Sequence, residues 1–338
     1  MDSLTRTLPA SWFCSLALYQ LERRAVFLKS WHFLGPVTRF QSRSKKVTCE
    51  IAQVTIIVEN RSPEHDGIDV DGITVYAEDE NIKIKNHLTP SGLLFVTLSD
   101  NTPSFEDFFE GLEQLTNKVD FTKLPHRRSI SYEGNFNWKT MYVSFYIDNT
   151  LTFSGLTGFK NVFTVNIVAH PTFSKFYPPT FYSVTNHKNF SQHMADPSKQ
   201  SDGLFLYFFP ICTLNVYGGG MSSFRTLPST KPGVSRMEFE YYHSGTDEVF
   251  EEYFNFVRQV AIEDFELCEK AQENLERGVY GEGILNPVKE NGVQFYQQRV
   301  KELVYKQHAS EKSAKDERIN ATQLPVGVVE ESKVIAVQ

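Results

Sequence analysis

The sequence predicts an α+β protein, an antiparallel sheet carrying helices on one face, and three observations lead there. From residue 203 onward the segments GLFLYFFP, CTLNVYGGG, MSSFRTLP and SRMEFEYY follow one another with turn residues between them, the pattern of successive short strands. In the last, Met237, Phe239 and Tyr241 alternate with Arg236, Glu238 and Glu240, and a period of two predicts a sheet with one buried face. A long amphipathic helix is then expected from about Asp247 to Arg277, with Gly278 as its C-terminal cap.

The remaining elements follow in order. Residues 15–33 place Leu18, Leu21, Ala25 and Leu28 at helical spacing before Gly35-Pro36, which predicts an amphipathic helix. Val47 to Val58 is rich in β-branched residues and reads as one or two strands. The polar stretch RSPEHDGIDVDG reads as turn and loop, and GLLFVTLSD (92–100) as a further strand. Ser104-Phe-Glu-Asp107 has the form of a capping box opening a helix through FEDFFEGLEQL. Gly218, Gly219 and Gly220 lack the spacing and following helix of a phosphate cradle and read as a turn between strands. A second long helix is expected over about 290–305, followed by a polar tail.

Composition narrows the function classes. The 338 residues carry a formal charge of −7 with no basic block, which argues against nucleic acid as the main partner. No stretch approaches the roughly 20 apolar residues of a membrane span. The start, MDSLTRTLPASWF, lacks the charged and then apolar run of a secretory signal. Cys14, Cys49, Cys212 and Cys268 lie far apart, which suits reduced thiols in a cytoplasmic protein. The sequon at Asn189-Phe190-Ser191 is read as chance for the same reason. With 28 Phe and 15 Tyr, aromatic packing is expected to dominate the core.

One acid sits on the wrong side of the long helix. The apolar stripe passes through Phe250, Tyr253, Phe254, Val257, Val260, Ala261, Cys268, Ala271 and Leu275, and at about 100° per residue Asp264 falls in its middle. Glu251, Glu252, Glu266, Glu269 and Glu273 occupy the opposite face. A buried carboxylate must be paired, hydrogen-bonded or metal-bound, so Asp264 is expected to cap a loop, to pair with an arginine or to bind a metal. Upstream, Asn137-Trp138-Lys139-Thr140 is followed at a distance by Ala169-His170-Pro171. His170 and Asp264 together could supply two of the three ligands of a 2-His-1-carboxylate iron site.

At these residues the chain becomes recognisable. The opening LPASWF…LERRAVFLKSWHFLGPVTRF, then GLLFVTLSD and EGNFNWKT, and the run from AHPTFSKFYPPTFYSV through FLYFFPICTLNVYGGGMSSFR to FVRQVAIEDFELCEKAQENLERGVY carry a family pattern. The chain resembles the α-subunit oxygenases of the Rieske non-haem iron family, most closely their fungal choline monooxygenase-like branch. The resemblance covers most of 8–40 and 90–140 and nearly all of 169–305. It implies a helix-grip (START-like) catalytic domain preceded by a β-rich Rieske domain. It also implies that His170 matches the second iron-ligating histidine and Asp264 the carboxylate ligand.

Two departures accompany the resemblance. A Rieske domain holds a [2Fe–2S] cluster through C-x-H and C-x-x-H pairs, whereas between residues 41 and 125 this chain has only Cys49, His65 and His87, none in that pattern. The stretch that would carry both pairs is missing between Asn60 and Asn81, which leaves a truncated Rieske-like remnant. Secondly, the family places a carboxylate and the first histidine ligand on a helix just before the second histidine. Here 141–168 reads MYVSFYIDNTLTFSGLTGFKNVFTVNIV, with Asp148 and Lys160 as its only charges, and it reads as strand. Either mis-splicing (a retained intron at 141–168 and a skipped exon near 60–80) or a decayed paralogue fits both departures.

The expected organisation is an N-terminal helical segment (1–40), a truncated Rieske-like β domain (41–103), a catalytic domain (104–305) and a tail (306–338). The resemblance implies an O2-dependent hydroxylase of a small substrate that uses mononuclear Fe(II) and, in intact relatives, a [2Fe–2S] cluster fed by a reductase, often in a homotrimer. A quaternary ammonium such as choline is the branch's nominal substrate, and Tyr177, Phe181, Tyr182, Phe205 and Tyr207 are candidates for an aromatic cage, with core packing the plainer reading of each. His187 or His193 could replace the absent histidine if the fold brings one inward. The rival expectations are a non-catalytic homologue that keeps the pocket, and an oxygenase tailoring a secondary metabolite.

Overall fold

The computed structural model describes residues 5–41, 46–61, 72–78, 82–141, 183–186, 188–194, 203–279, 281–285 and 291–314. The chain opens with a short helix α1 (Ser11–Cys14) and α2 (Leu16–Ala25), whose first turn is capped by the Ser15 side chain accepting from Leu18 N at 3.4 Å. The helix expected over 15–33 stops at Ala25, and Trp31–Pro36 forms strand β1, all six residues buried. From Val26 to Leu34 every residue but Lys29 is buried, Ser30 and His32 included, so burial follows no 3.6-residue stripe to mark where helix gives way to strand.

The β-rich stretch over 47–58 resolves into two strands, β2 (Lys46–Ile51) and β3 (Val54–Asn60), followed by β4 (Ile73–Ala77), β5 (Lys85–Leu88) and β6 (Leu93–Thr97). Two three-stranded antiparallel sheets result, in the orders β2-β3-β4 and β1-β6-β5. Ser104 caps α3 (Phe105–Phe108) by accepting from Asp107 N. The expected single helix is broken there, because Gly111 adopts φ +84° and starts a separate α4 (Leu112–Thr116).

Strand β7 (His126–Gly134) begins the large sheet, joined by β8 (Ser183–Asn186), β9 (Phe190–Met194), β10 (Leu204–Phe208), β11 (Cys212–Tyr217), β12 (Gly220–Pro228) and β13 (Ser235–His243). Its order is β7-β13-β12-β11-β10-β9-β8, antiparallel throughout. Gly218 and Gly219, at φ +60° and +78°, make the predicted turn between β11 and β12. Helix α5 (Asp247–Glu276) follows, with Asp247 and Glu248 in its first turn, and Gly278 at φ +69° ends it as expected. Helix α6 (Asn291–Ser313) packs against α2 and is tied to it by Arg24 and Glu311 at 2.7 Å. Its last two turns lie in the stretch expected to be tail.

The large sheet is covered on both sides, which corrects the one-sided expectation. On one side Met237, Phe239 and Tyr241 pack with Phe250, Tyr253, Phe254, Val257 and Cys268 of α5. On the other, Leu206, Phe208, Leu214 and Met221 meet Phe33, Phe95, Phe105 and Phe109 from the N-terminal half. The polar members of β13 therefore face protein rather than solvent. Glu240 is buried, held by Arg39, by His126 Nε2 at 2.8 Å and by the Ser129 hydroxyl. Arg225 is buried beside Glu238 at 2.7 Å, and Arg236 reaches Glu50 at 3.1 Å.

Candidate active site between the large sheet and helix α5

Asp264 lies where the helical stripe places it. It is 8% exposed, one of nine buried residues along α5, on the side of the helix that carries Phe250, Tyr253, Phe254, Val257 and Cys268 to the sheet. Of the acids expected opposite it, Glu251, Glu252, Glu266 and Glu273 are exposed, whereas Glu269 is half-buried and accepts from Asn135 N at 2.9 Å. Within the apolar stripe, Gln272 is buried as well; its side chain accepts from Asn137 N at 3.1 Å and donates to Glu276.

His170, His187, Tyr177, Phe181, Tyr182 and all of 141–168 after Met141 lie outside the described residues, as do His65 and most of the predicted loop over 61–72. The expected meeting of His170 with Asp264 therefore stands as an expectation. His193 belongs to β9 and is the Cα partner of Phe205 on β10. Phe205 stacks on Tyr217 at 5.6 Å, and the Tyr207 hydroxyl donates to the Pro210 carbonyl, so both named cage candidates on β10 have packing partners of their own.

The sheet side that faces α5 is aromatic but not wholly apolar. Across β7, β13, β12, β11 and β10 the register aligns Arg128, Tyr241, Ser222, Asn215 and Phe205 in one row. Thr213 accepts from Phe224 N at 3.3 Å and from Asn215 Nδ2 at 3.4 Å. At the β7 end the guanidinium of Arg128 sits 4.2 Å over Phe254, and that of Arg127 4.8 Å over Phe250.

The residues described do not fit a [2Fe–2S] cluster. None of the four cysteines is followed by histidine two or three positions on. Cys49 is buried in β2 with its Sγ 3.8 Å from Arg39 Nη1, while Cys14 sits on α1 and Cys212 on β11. His87 stacks on Phe105 at 4.0 Å and bonds Glu113 at 3.0 Å, and His32 bonds the Phe27 carbonyl at 2.7 Å. Among the described residues no three His, Cys, Asp or Glu side chains converge as a metal site. Nor is any helix among them long and apolar enough to cross a membrane. Asn189, 1% exposed, donates to the Phe108 carbonyl and accepts from Arg299 Nε, so its sequon is closed to a glycan.

Sequence reasoning missed what Asn137-Trp138-Lys139 does. Glu22 of α2 accepts from Lys139 Nζ at 2.7 Å and Trp138 Nε1 at 3.0 Å, and Asn137 Nδ2 donates to the Phe13 and Pro232 carbonyls. The block ties the N-terminal helices to the large sheet and α5. A helix-buried glutamate at position 22 was the available signal.

Comparison with known proteins agrees with this architecture. Residues 168–306 match the family described as ring hydroxylating alpha subunit (catalytic domain). In fold the chain is similar to the quaternary ammonium Rieske monooxygenase CntA solved with its substrate L-carnitine, at 16% identity and TM-score 0.69, covering 89% of this chain and 96% of that one. Naphthalene 1,2-dioxygenase from Rhodococcus sp. bound to indole is similar at 13% identity and TM-score 0.59, covering 88% and 94%. No curated protein matches by sequence. By the match over residues 168–306 and by its fold, the chain is similar to the Rieske non-haem iron oxygenases.

Proposed function

We propose that this chain binds a small organic molecule between α5 and the facing side of the large sheet, in an oxygenase-type site whose Fe(II) rests on His170 and Asp264. The observation that carries the reading is Asp264, a carboxylate buried on the largely apolar, sheet-facing side of α5. Iron bound there would supply O2 activation. The chain's own contribution is the carboxylate, held by the rigid α5, and aromatic walls that exclude water. With the first histidine ligand absent, iron is held weakly. With no cluster of its own, the chain depends on electrons from elsewhere.

A choline monooxygenase-like activity on a quaternary ammonium, a reductase partner, a homotrimer and a cytoplasmic location are the finer forms of this reading. The likeness in fold to CntA supports the first of them. A pocket kept without catalysis, in a damaged or mis-spliced chain, is the second reading, and the missing cluster ligands favour it. Anaerobic Fe(II) titration of wild type and Asp264→Ala separates the two. Weak stoichiometric binding that Asp264→Ala abolishes supports the iron site, and identical traces leave only the pocket.

A further inference from the structure

The outermost strand of a sheet presents a row of backbone N–H and C=O groups with which a further strand can pair. Strand β7 ends the order of the large sheet, and among the described residues its backbone pairs with β13 alone. It is nine residues long, about 30 Å of ladder, and holds neither proline nor lysine. Two outer strands of the small sheets, β2 and β5, by contrast start on exposed lysines, Lys46 and Lys85, a common means of discouraging such pairing. The middle of β7 is neutral: Ser129, Ile130, Ser131 and Tyr132 stand between Arg127-Arg128 at one end and Glu133 at the other. Ser129, Ser131 and Glu133 are exposed, Ile130 and Tyr132 are half-buried, and Glu133 makes no ion pair among the described residues.

We propose that this edge joins a second copy of the chain, antiparallel about a two-fold axis at Ile130, so that the large sheet runs from one chain into the other. Ile130 is the midpoint of His126–Gly134, so pairing about it overlaps the whole strand, and an axis at any other residue shortens the overlap. A slip of one residue would set side chains of opposite faces against each other. In this register Arg128 stands opposite the partner's Tyr132 on the side that α5 covers, where the Tyr132 ring meets Phe239 and Phe265. Ser129 stands opposite the partner's Ser131 on the other side, and Ile130 meets its own copy on the axis; both kinds of pair stabilise neighbouring strands. Glu133 comes up to the partner's Arg127 and Arg128; these two side chains are 21% and 36% exposed. No like charges face one another, so the edge is complementary to itself, as a two-fold contact requires. The proposal does not depend on what the space beneath α5 binds.

Sedimentation velocity on the full chain at rising concentration reads the contact. Expected is an assembly whose mass Ile130→Asp halves, because two carboxylates then meet on the axis. Ile130 is half-buried, so a second arm uses cysteine and decides alone if Ile130→Asp fails to fold. In a Cys14→Ser background, which removes the exposed native thiol, Ile130→Cys is expected to give a covalent dimer on mild oxidation with diamide. Ser131→Cys is expected to stay uncrosslinked, since in this register its Cα lies roughly 8 Å from its copy, beyond disulfide reach. A mass that a folded Ile130→Asp leaves unchanged overturns the proposal, whether the chain is a monomer or assembles through another face. So does the absence of a cross-link at Ile130. Cross-linking through Ser131 alone overturns the pairing about Ile130.

Discussion

Glu22 and Lys139, 117 residues apart in sequence, form an ion pair at 2.7 Å in which both side chains are only 1% exposed. Burial pushes the Glu22 carboxyl above its usual range against the pull of Lys139 and the Trp138 indole, and burial likewise draws the Lys139 ammonium down. Desolvation thus outweighs attraction for each partner. Lys139 also lies 4.9 Å over the Trp138 ring and 5.3 Å over Phe13, so the pair joins α1 and α2 to the segment that follows β7.

Breaking this pair from one side is expected to be severe. Lys139→Met alone leaves a buried carboxylate and should cost about 3–5 kcal/mol, whereas Glu22→Leu combined with Lys139→Met should recover most of that loss. Urea denaturation of the two single variants and the double variant measures this. Additive losses would contradict it.

His32 makes stability depend on pH. Burial holds its imidazole at about 4, against 6.5 unfolded, even though the Phe27 carbonyl hydrogen bond opposes the shift. A depressed folded value means that the stabilisation is fully present above pH 6.5 and is lost as pH falls through about 4. At about 1.4 kcal/mol per unit the loss comes to about 3 kcal/mol. His32→Gln keeps a donor for Phe27 and should flatten the decline between pH 6.5 and 4 in denaturant midpoints.

The purified chain is expected to show no Rieske-type absorption or EPR signal, because no C-x-H or C-x-x-H pair occurs anywhere in it. About two irons and two acid-labile sulfides per chain would refute this.

Gly278 adopts φ +69° just beyond α5, with nothing within 4 Å of an added Cβ. Gly278→Ala should therefore cost about 1 kcal/mol through backbone strain alone. A melting temperature unchanged from wild type would mean that the helix end frays at no cost.

Much of the C-terminal half was legible because its signals are local. Strands β10 to β13 are short runs with turn residues between them, β13 carries period-two alternation, and α5 carries a 3.6-residue stripe long enough to expose Asp264 as an exception within it. Residues 26–33 were misread because all but Lys29 are buried and so show no period. Glu240 was misread for a related reason: alternation tells the two sides of a strand apart, but not whether a second layer covers the polar one.

Composition and spacing by themselves determined that the chain is α+β, that it lacks the cluster's ligand pairs, and that one acid of the long helix faces inward. These are properties of residue identity and short-range periodicity. Only the tertiary structure decided that Glu22 meets Lys139, that Arg39 and His126 cover Glu240, and that Asn215, Ser222 and Tyr241 fall in one row. Each of those relationships joins segments whose separation along the chain carries no pattern, and sheet order and register alone bring them together.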